Sequence, residues 1–241
     1  MADESLVHYI PILTTGVAIG FAVTVFKRFR QRGGLHLLWW GIGMVTYAAG
    51  TTTEAWTTLF GWSEPVFRLW YVTGALLGGA PLAQGTAYLI WSRKVADRMT
   101  MVLGTVIAVA ALAAFTVPVD HSLVETHRLS GRVFGAQWVR AFSPFINTYA
   151  AGVLIGGAVW SAIRYWREQG RAGLRRVLAN VAIAVGGILP GIGGSFTRFG
   201  HVEVLYVTEL LGLSLIFLGY LLITRDPGPT VHRATATATA S

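Results

Sequence analysis

Cysteine is absent from all 241 residues, which excludes disulfides, thiolate metal ligands and thiol catalysis. Charge is scarce too. Asp, Glu, Lys and Arg together make up 12% of the chain, about half of the ~25% usual in soluble domains. Together with a mean hydropathy of +0.56, this points to a surface made for lipid. Lysine is rarer still: only Lys27 and Lys94 occur, both beside arginines in polar connections. A retinal Schiff base needs a lysine inside a helical bundle, so retinal is disfavoured. The six histidines fall at stretch ends, in loops or in the tail, which disfavours bis-histidine haem in the bilayer. Gly-x-Ser-x-Gly, His-Glu-x-x-His and phosphate-loop strings are missing. No cofactor is expected, and an enzyme is the least supported class.

Apolar length, by contrast, is plentiful. A membrane helix needs ~20 mostly apolar residues. Seven such stretches cover about 8–26, 34–53, 66–91, 99–118, 141–163, 177–197 and 202–224. The expected fold is all-α: a polytopic membrane protein with a seven-transmembrane-helix bundle over 1–225. A tail over 226–241, with its Thr-Ala repeat, has no hydrophobic periodicity and reads as disordered. The first stretch follows an acidic Met-Ala-Asp-Glu-Ser and runs into Lys27-Arg28-Phe29-Arg30, the pattern of a retained span and not of a signal peptide.

A net charge of +8 would suggest nucleic acid in a soluble protein. Here the basic residues sit in short connections, so no nucleic-acid partner is expected and the charge reads as an orientation signal. Four basic residues fall in 27–32, three in 93–98, five in 164–176 and two in 225–233, which is 14 of the 19. The other five are Arg68, Arg128, Arg132, Arg140 and Arg198. By the positive-inside rule the N-terminus lies outside and the C-terminus in the cytoplasm of a cell (inner) membrane. The outer loop Val119–Arg140 is then the longest connection and a candidate for a short helix lying on the membrane.

An internal repeat is visible. Tyr71-Val72-Thr73 recurs as Tyr206-Val207-Thr208, near the starts of the third and seventh stretches. The first and fifth stretches share an early proline, Pro11 and Pro144, followed by Gly16/Gly20 and Gly152/Gly156. The implied layout is a 3+1+3 parallel repeat, an arrangement that builds transport pathways with the site at the repeat interface.

Glu209 is the sharpest single signal, ~10 Å inside the last stretch at 1.5 Å per residue. A carboxylate at such depth is costly unless paired or wetted, and by default marks function. It is either a proton, cation or ligand group, or half of a pair with an arginine. Arg68 and Glu203 occupy matching repeat positions with opposite charge. They are either an ion pair closing the outer mouth or two solvated helix ends. Glu54, Glu64 and Arg198 read as similar outer-mouth charges. Gln84, Asn147 and Asn180 are amides inside stretches, where such groups line a path or simply bond across helices. Gly78-Gly79 with Pro81, and Gly186-Gly187 with Pro190, interrupt their helices and either line a cavity or mark close-packed kinks. Trp39, Trp40, Trp62, Trp91, Trp138 and Trp166 fit an aromatic belt, while Trp70, Tyr71 and Tyr206 lie deeper, as an aromatic wall or as packing. His121, Glu125 and His127 form the one metal candidate, imidazole plus carboxylate suiting zinc, but their spacing matches no metal motif and no metal is expected.

The leading expectation is a small-solute or ion carrier or channel built from two three-helix repeats. The alternatives are an accessory, lipid- or pigment-binding subunit of a larger membrane complex, or a seven-helix sensor without its own output domain. Expected partners are the lipid bilayer, a small solute or ion, and a protein partner or second copy. The cysteine-free background makes the orientation directly testable. With Ser130→Cys, an impermeant thiol reagent added outside intact cells should label the protein; with Gln169→Cys it should label only after the cells are broken open. The reverse pattern would overturn the orientation.

Overall fold

The computed structural model describes residues 7–126 and 128–225, apart from the side chain of Arg198. The expectations placed on the tail over 226–241, on His127 and on the Arg198 side chain lie outside the described residues. Within them the protein is helical. Helix α1 (Ile10–Arg32) turns at Gly33-Gly34 into α2 (Leu35–Phe60). Both glycines have positive φ, +66° and +100°, a conformation that side chains with a Cβ resist. Helix α3 (Glu64–Trp70) passes through a π-helical turn, Tyr71–Leu76, into α4 (Ala80–Ile90). Helices α5 (Arg93–Thr116), α6 (Gln137–Gln169), α7 (Leu174–Phe196) and α8 (Val202–Thr224) complete the chain.

Five helical runs are long and apolar enough to cross a membrane: Ile10–Arg32, Glu64–Ile90, Arg93–Thr116, Gln137–Phe196 and Val202–Thr224. The protein is thus a helical protein of membrane type. By this measure there are five runs, against seven expected stretches, for two reasons. Helices α6 and α7 lie in one continuous run, and α2 is diluted by Thr46, Thr51, Thr52, Thr53, Thr57, Thr58 and Glu54. The outward faces stay apolar: Val102, Leu112 and Phe145 are among the most exposed side chains.

Helix α1 packs on α2, α2 on α3 and α4, α4 on α6, α6 on α7, α7 on α8, and α8 closes back on α1. Helix α5 sits outside this ring, against α4 and α6. Two apolar clusters fill it. One gathers Phe21, Trp40, Met44, Leu154, Leu213 and Tyr220; the other gathers Phe67, Tyr71, Leu103, Phe134 and Ile146. Trp40 therefore belongs to the interior and not to a belt.

The α2 boundary differs from the one expected at 53, because the helix continues to Phe60. The threonines there bond back to their own helix, Thr51 to Tyr47, Thr52 to Ala48 and Thr57 to Thr53. Their hydroxyls are satisfied locally, so a polar-looking segment continues the helix at little cost. Nor does the loop before α6 form the expected surface helix. It makes two 3-10 turns, His121–Leu123 and Gly131–Val133, and pushes Val133 and Phe134 fully into the interior against Phe67 and Tyr71. At its start the Ser122 hydroxyl and amide donate to Asp120, at 2.6 and 2.9 Å, and hold that carboxyl below the usual carboxylate range. Two cross-links bind the loops at this end: the Trp62 amide donates to Thr126 O at 2.8 Å, and Arg128 donates to Thr197 O at 2.7 Å.

The glycines of the repeat argument, Gly16, Gly20, Gly152 and Gly156, make no close approach; an added Cβ at any of them meets nothing within 4 Å. The close contacts lie elsewhere. A Cβ at Gly212 would sit 2.6 Å from the Gly186 carbonyl oxygen, between α7 and α8. Backbone cannot yield as a flexible side chain does, so Gly212→Ala should destabilise the protein by roughly 1–3 kcal/mol. The measurement is thermal unfolding in detergent, with Gly16→Ala as the variant expected to melt like the parent.

Candidate functional site

The break between α3 and α4 shapes the interior. Pro81 has no N–H to give, and Gly78-Gly79 relax the backbone ahead of it. The turn widens to π geometry, with the Leu77 amide donating to Val72 O at 3.0 Å. Inside an apolar bundle each freed carbonyl needs a donor. Ala75 O accepts from Ser143 Oγ at 3.0 Å and Asn147 Nδ2 at 2.9 Å, and Leu77 O accepts from Thr46 Oγ1 at 3.3 Å. The widened turn borders a cavity of about 450 Å³, whose walls include Tyr47, Thr51, Glu54, Trp70, Asn147, Pro190 and Glu209. A second cavity of about 650 Å³ shares Glu54, Trp70, Ala75 and Thr197 with the first and extends among Tyr71, Arg128, Arg132, Arg140 and Tyr206 toward the loops. The two cavities share these walls; arginines border the second and Glu54 borders both.

Glu54 and Glu209 are the acids that line the first cavity. Glu54 is 7% exposed. Its Oε1 accepts from the Trp70 indole at 3.0 Å, while Oε2 is buried and accepts nothing among the described residues. Glu209 is partly exposed and lines the same cavity as Glu54. The Tyr47 hydroxyl donates to the Glu209 backbone oxygen at 3.5 Å. Of the two readings of Glu209, the pair with an arginine is not found among the described residues, where the ion pairs are made by Glu64, Asp97, Glu125 and Glu168. Glu54 is not an outer-mouth charge. The extension of α2 to Phe60 puts it about 9 Å inside that helix. The signal was there: between Met44 and Gly61 the sequence offers no proline, and Gly50 alone does not stop a helix.

The remaining candidates divide. Arg68 does not meet Glu203. It pairs with Glu64 at 2.6 Å and donates to the carbonyls of Ala114 and Val117, closing the end of α5; Glu203 is exposed. Tyr71 and Tyr206 both line the loop-side cavity, with the Tyr71 hydroxyl donating to Val139 O at 2.9 Å. Asn147 lines the deeper cavity and braces the π turn. Gln84 lines neither cavity and is fully buried. It donates to Ala96 O at 2.9 Å and Thr100 Oγ1 at 2.7 Å, and accepts from the Tyr149 hydroxyl at 2.7 Å. Asn180 donates to Arg176 O at 2.8 Å, near the opposite end of the bundle. Helix α7 runs unbroken through Pro190, so Gly187, Pro190 and Gly191 line the cavity without interrupting the helix. Of the metal candidates, His121 faces Glu64 at 3.6 Å and Glu125 pairs with Arg128 at 3.3 Å. Among the described residues no three His, Asp or Glu side chains converge.

No family model, curated protein or solved structure matches the chain, so its chemistry is read from the site alone.

Gln84 is a packing group on this geometry. Gln84→Leu removes three hydrogen bonds worth ~0.6 kcal/mol each on average in membrane proteins. Thermal unfolding should show a loss of roughly 1–2 kcal/mol.

Proposed function

We propose that the protein is a carrier or channel for a small cation-bearing solute or an ion, held by Glu54 and Glu209. The observation that carries this reading is the meeting of two carboxyl side chains, one on α2 and one on α8, in a single cavity of an apolar bundle. Acids inside a membrane protein mark ion and solute paths by default. Two negative charges in one cavity repel, and a cation seated between them relieves the repulsion. The Glu54 Oε2, buried and unpartnered, has acceptor capacity left for it. Tyr47 and Trp70 add aromatic surface, which suits an organic ammonium. Arg128, Arg132 and Arg140 at the entrance favour a solute that also carries an acidic group.

The architecture we propose is seven spans in a 3+1+3 parallel repeat, with α3 and α4 as two parts of one span and α5 as the linker. Contacts between equivalent pairs of spans support it. Gly50 lies against Gly74 between the second and third spans, and Gly186 against Gly212 between the sixth and seventh. The two contacts that join the triplets, α4 with α6 and α8 with α1, are each other's counterparts under such a repeat. The basic ends also gather: Arg28 donates to Thr224 O at 3.3 Å, across 196 residues. With the N-terminus outside, as the basic residues favour, the arginine entrance opens outward. Leu82, Leu154 and Ile216 floor the deeper cavity on the cytoplasmic side. The open glycine faces at Gly16/Gly20 and Gly152/Gly156 favour a second reading, a subunit packed against another membrane helix.

Reconstituted proteoliposomes on a solid-supported membrane separate the two. Small ammonium compounds, amino acids and monovalent cations are applied in turn, and charge movement is recorded. At least one class should give current. Glu54→Gln and Glu209→Gln should each cut it about tenfold or more, the size of a lost charge-assisted hydrogen bond, without lowering the melting temperature. Current from none of the classes, or undiminished current in both variants, would overturn the transport reading.

A further inference from the structure

The basic end of the bundle holds another built cavity, of about 190 Å³. Trp40 and Tyr220 form its inner wall, each 6% exposed. The Trp40 indole N–H and the Tyr220 hydroxyl are both buried with no hydrogen-bond partner among the described residues. They lie side by side, ring centroids 5.9 Å apart, and Phe21 packs on both rings at 6.2 and 5.2 Å. Burying two donors without acceptors is costly, and here the two rings that carry them are held together by aromatic packing.

The rest of the lining adds a cation. Arg28 borders the cavity and uses one nitrogen on Thr224 O at 3.3 Å; the guanidinium has further donors. Asn180 donates one amide N–H to Arg176 O and has a second. No Asp or Glu lines the cavity. Glycine keeps the space in shape. A Cβ at Gly85 would collide with the Trp40 ring and stand 2.8 Å from the His36 carbonyl oxygen, so the indole reaches its place only over a glycine. The apolar side is Leu37, Ile90 and Ile223, and Leu89 on the rim is exposed on the outer face of the bundle.

We propose that this cavity binds a phosphate-type oxyanion, free or at the head of a lipid, through Trp40 Nε1, the Tyr220 hydroxyl and Arg28. Two neutral donors and one guanidinium, with no carboxylate, match an anion rich in acceptor oxygens. The aliphatic side and the exposed rim at Leu89 accommodate carbon attached to it. This site shares no polar residue with the acidic cavity and stands whether or not the protein moves solutes.

The test is calorimetric titration of the purified protein in a maltoside detergent, which carries no phosphate. The probes are inorganic phosphate, dihexanoyl phosphatidic acid and dihexanoylglycerol. Phosphatidic acid should bind and dihexanoylglycerol should not. Binding of inorganic phosphate as well identifies a free-ion site, and its failure beside phosphatidic acid identifies a lipid site; both uphold the proposal. Tyr220→Phe keeps the ring and removes its donor; Trp40→Phe removes the indole N–H and leaves a smaller aromatic ring. Either should weaken binding about tenfold, the effect of one hydrogen bond to a charged group. Arg28→Gln, at the rim, gives a third reading should an aromatic variant fail to fold. The proposal is overturned if neither phosphate-bearing probe binds, if dihexanoylglycerol binds as well as phosphatidic acid, or if the folded variants bind as tightly as the parent.

Discussion

The hydrogen bonds from Ser143 and Asn147 to the Ala75 carbonyl support much of the interior. Lipid offers no donors, so a helix can loosen inside a bundle only where a neighbour satisfies the freed backbone. These two side chains on α6 do so, and the π turn at Tyr71–Leu76 persists between α3 and α4. The wider turn brings Gly74 against Gly50 on α2 and leaves room beyond it. It also turns Trp70 toward Glu54, whose Oε1 it holds at 3.0 Å. Break, cavity and acid thus form one connected arrangement.

The charges around the two cavities sort by what can satisfy them. Arg68 finds Glu64 and the carbonyl end of α5, and is spent on structure. Arg128 finds Glu125 and Thr197 O, and ties two loops together. Glu54 and Glu209 find no basic partner among the described residues, and face space. A membrane protein with so few charges has little reason to keep two acids together for packing alone, because removing hydration from a carboxylate costs several kcal/mol, of the order of ~3 and more. The same logic applies in milder form at Trp40 and Tyr220, whose donors are neutral.

Membrane character was legible in composition: 12% charge and long apolar runs leave little choice. Glu209 was legible too, because an acid breaks an apolar helix pattern in plain view. Glu54 was misplaced, since hydropathy registers Thr51-Thr52-Thr53 as polar while the helix satisfies those hydroxyls internally. Arg68 with Glu203 was a pairing by repeat position, and the four-residue spacing to Glu64 on the same helix face won instead. The loop before α6 was read as surface, although Val133 and Phe134 are an apolar pair in it and end up buried.

By itself, then, the sequence determined what is local or compositional: helices, their approximate extent, apolar outer faces, and the need to shelter the few charges. Tertiary structure alone decided which of those charges meet. Glu54 and Glu209 stand 155 positions apart, and no periodicity relates them. Their meeting depends on how α2 and α8 come to border one cavity, which the glycine contacts and the satisfied break between α3 and α4 govern. Side-chain chemistry can be read one residue at a time, but a site is a distance between residues, and that distance exists only once the helices have packed.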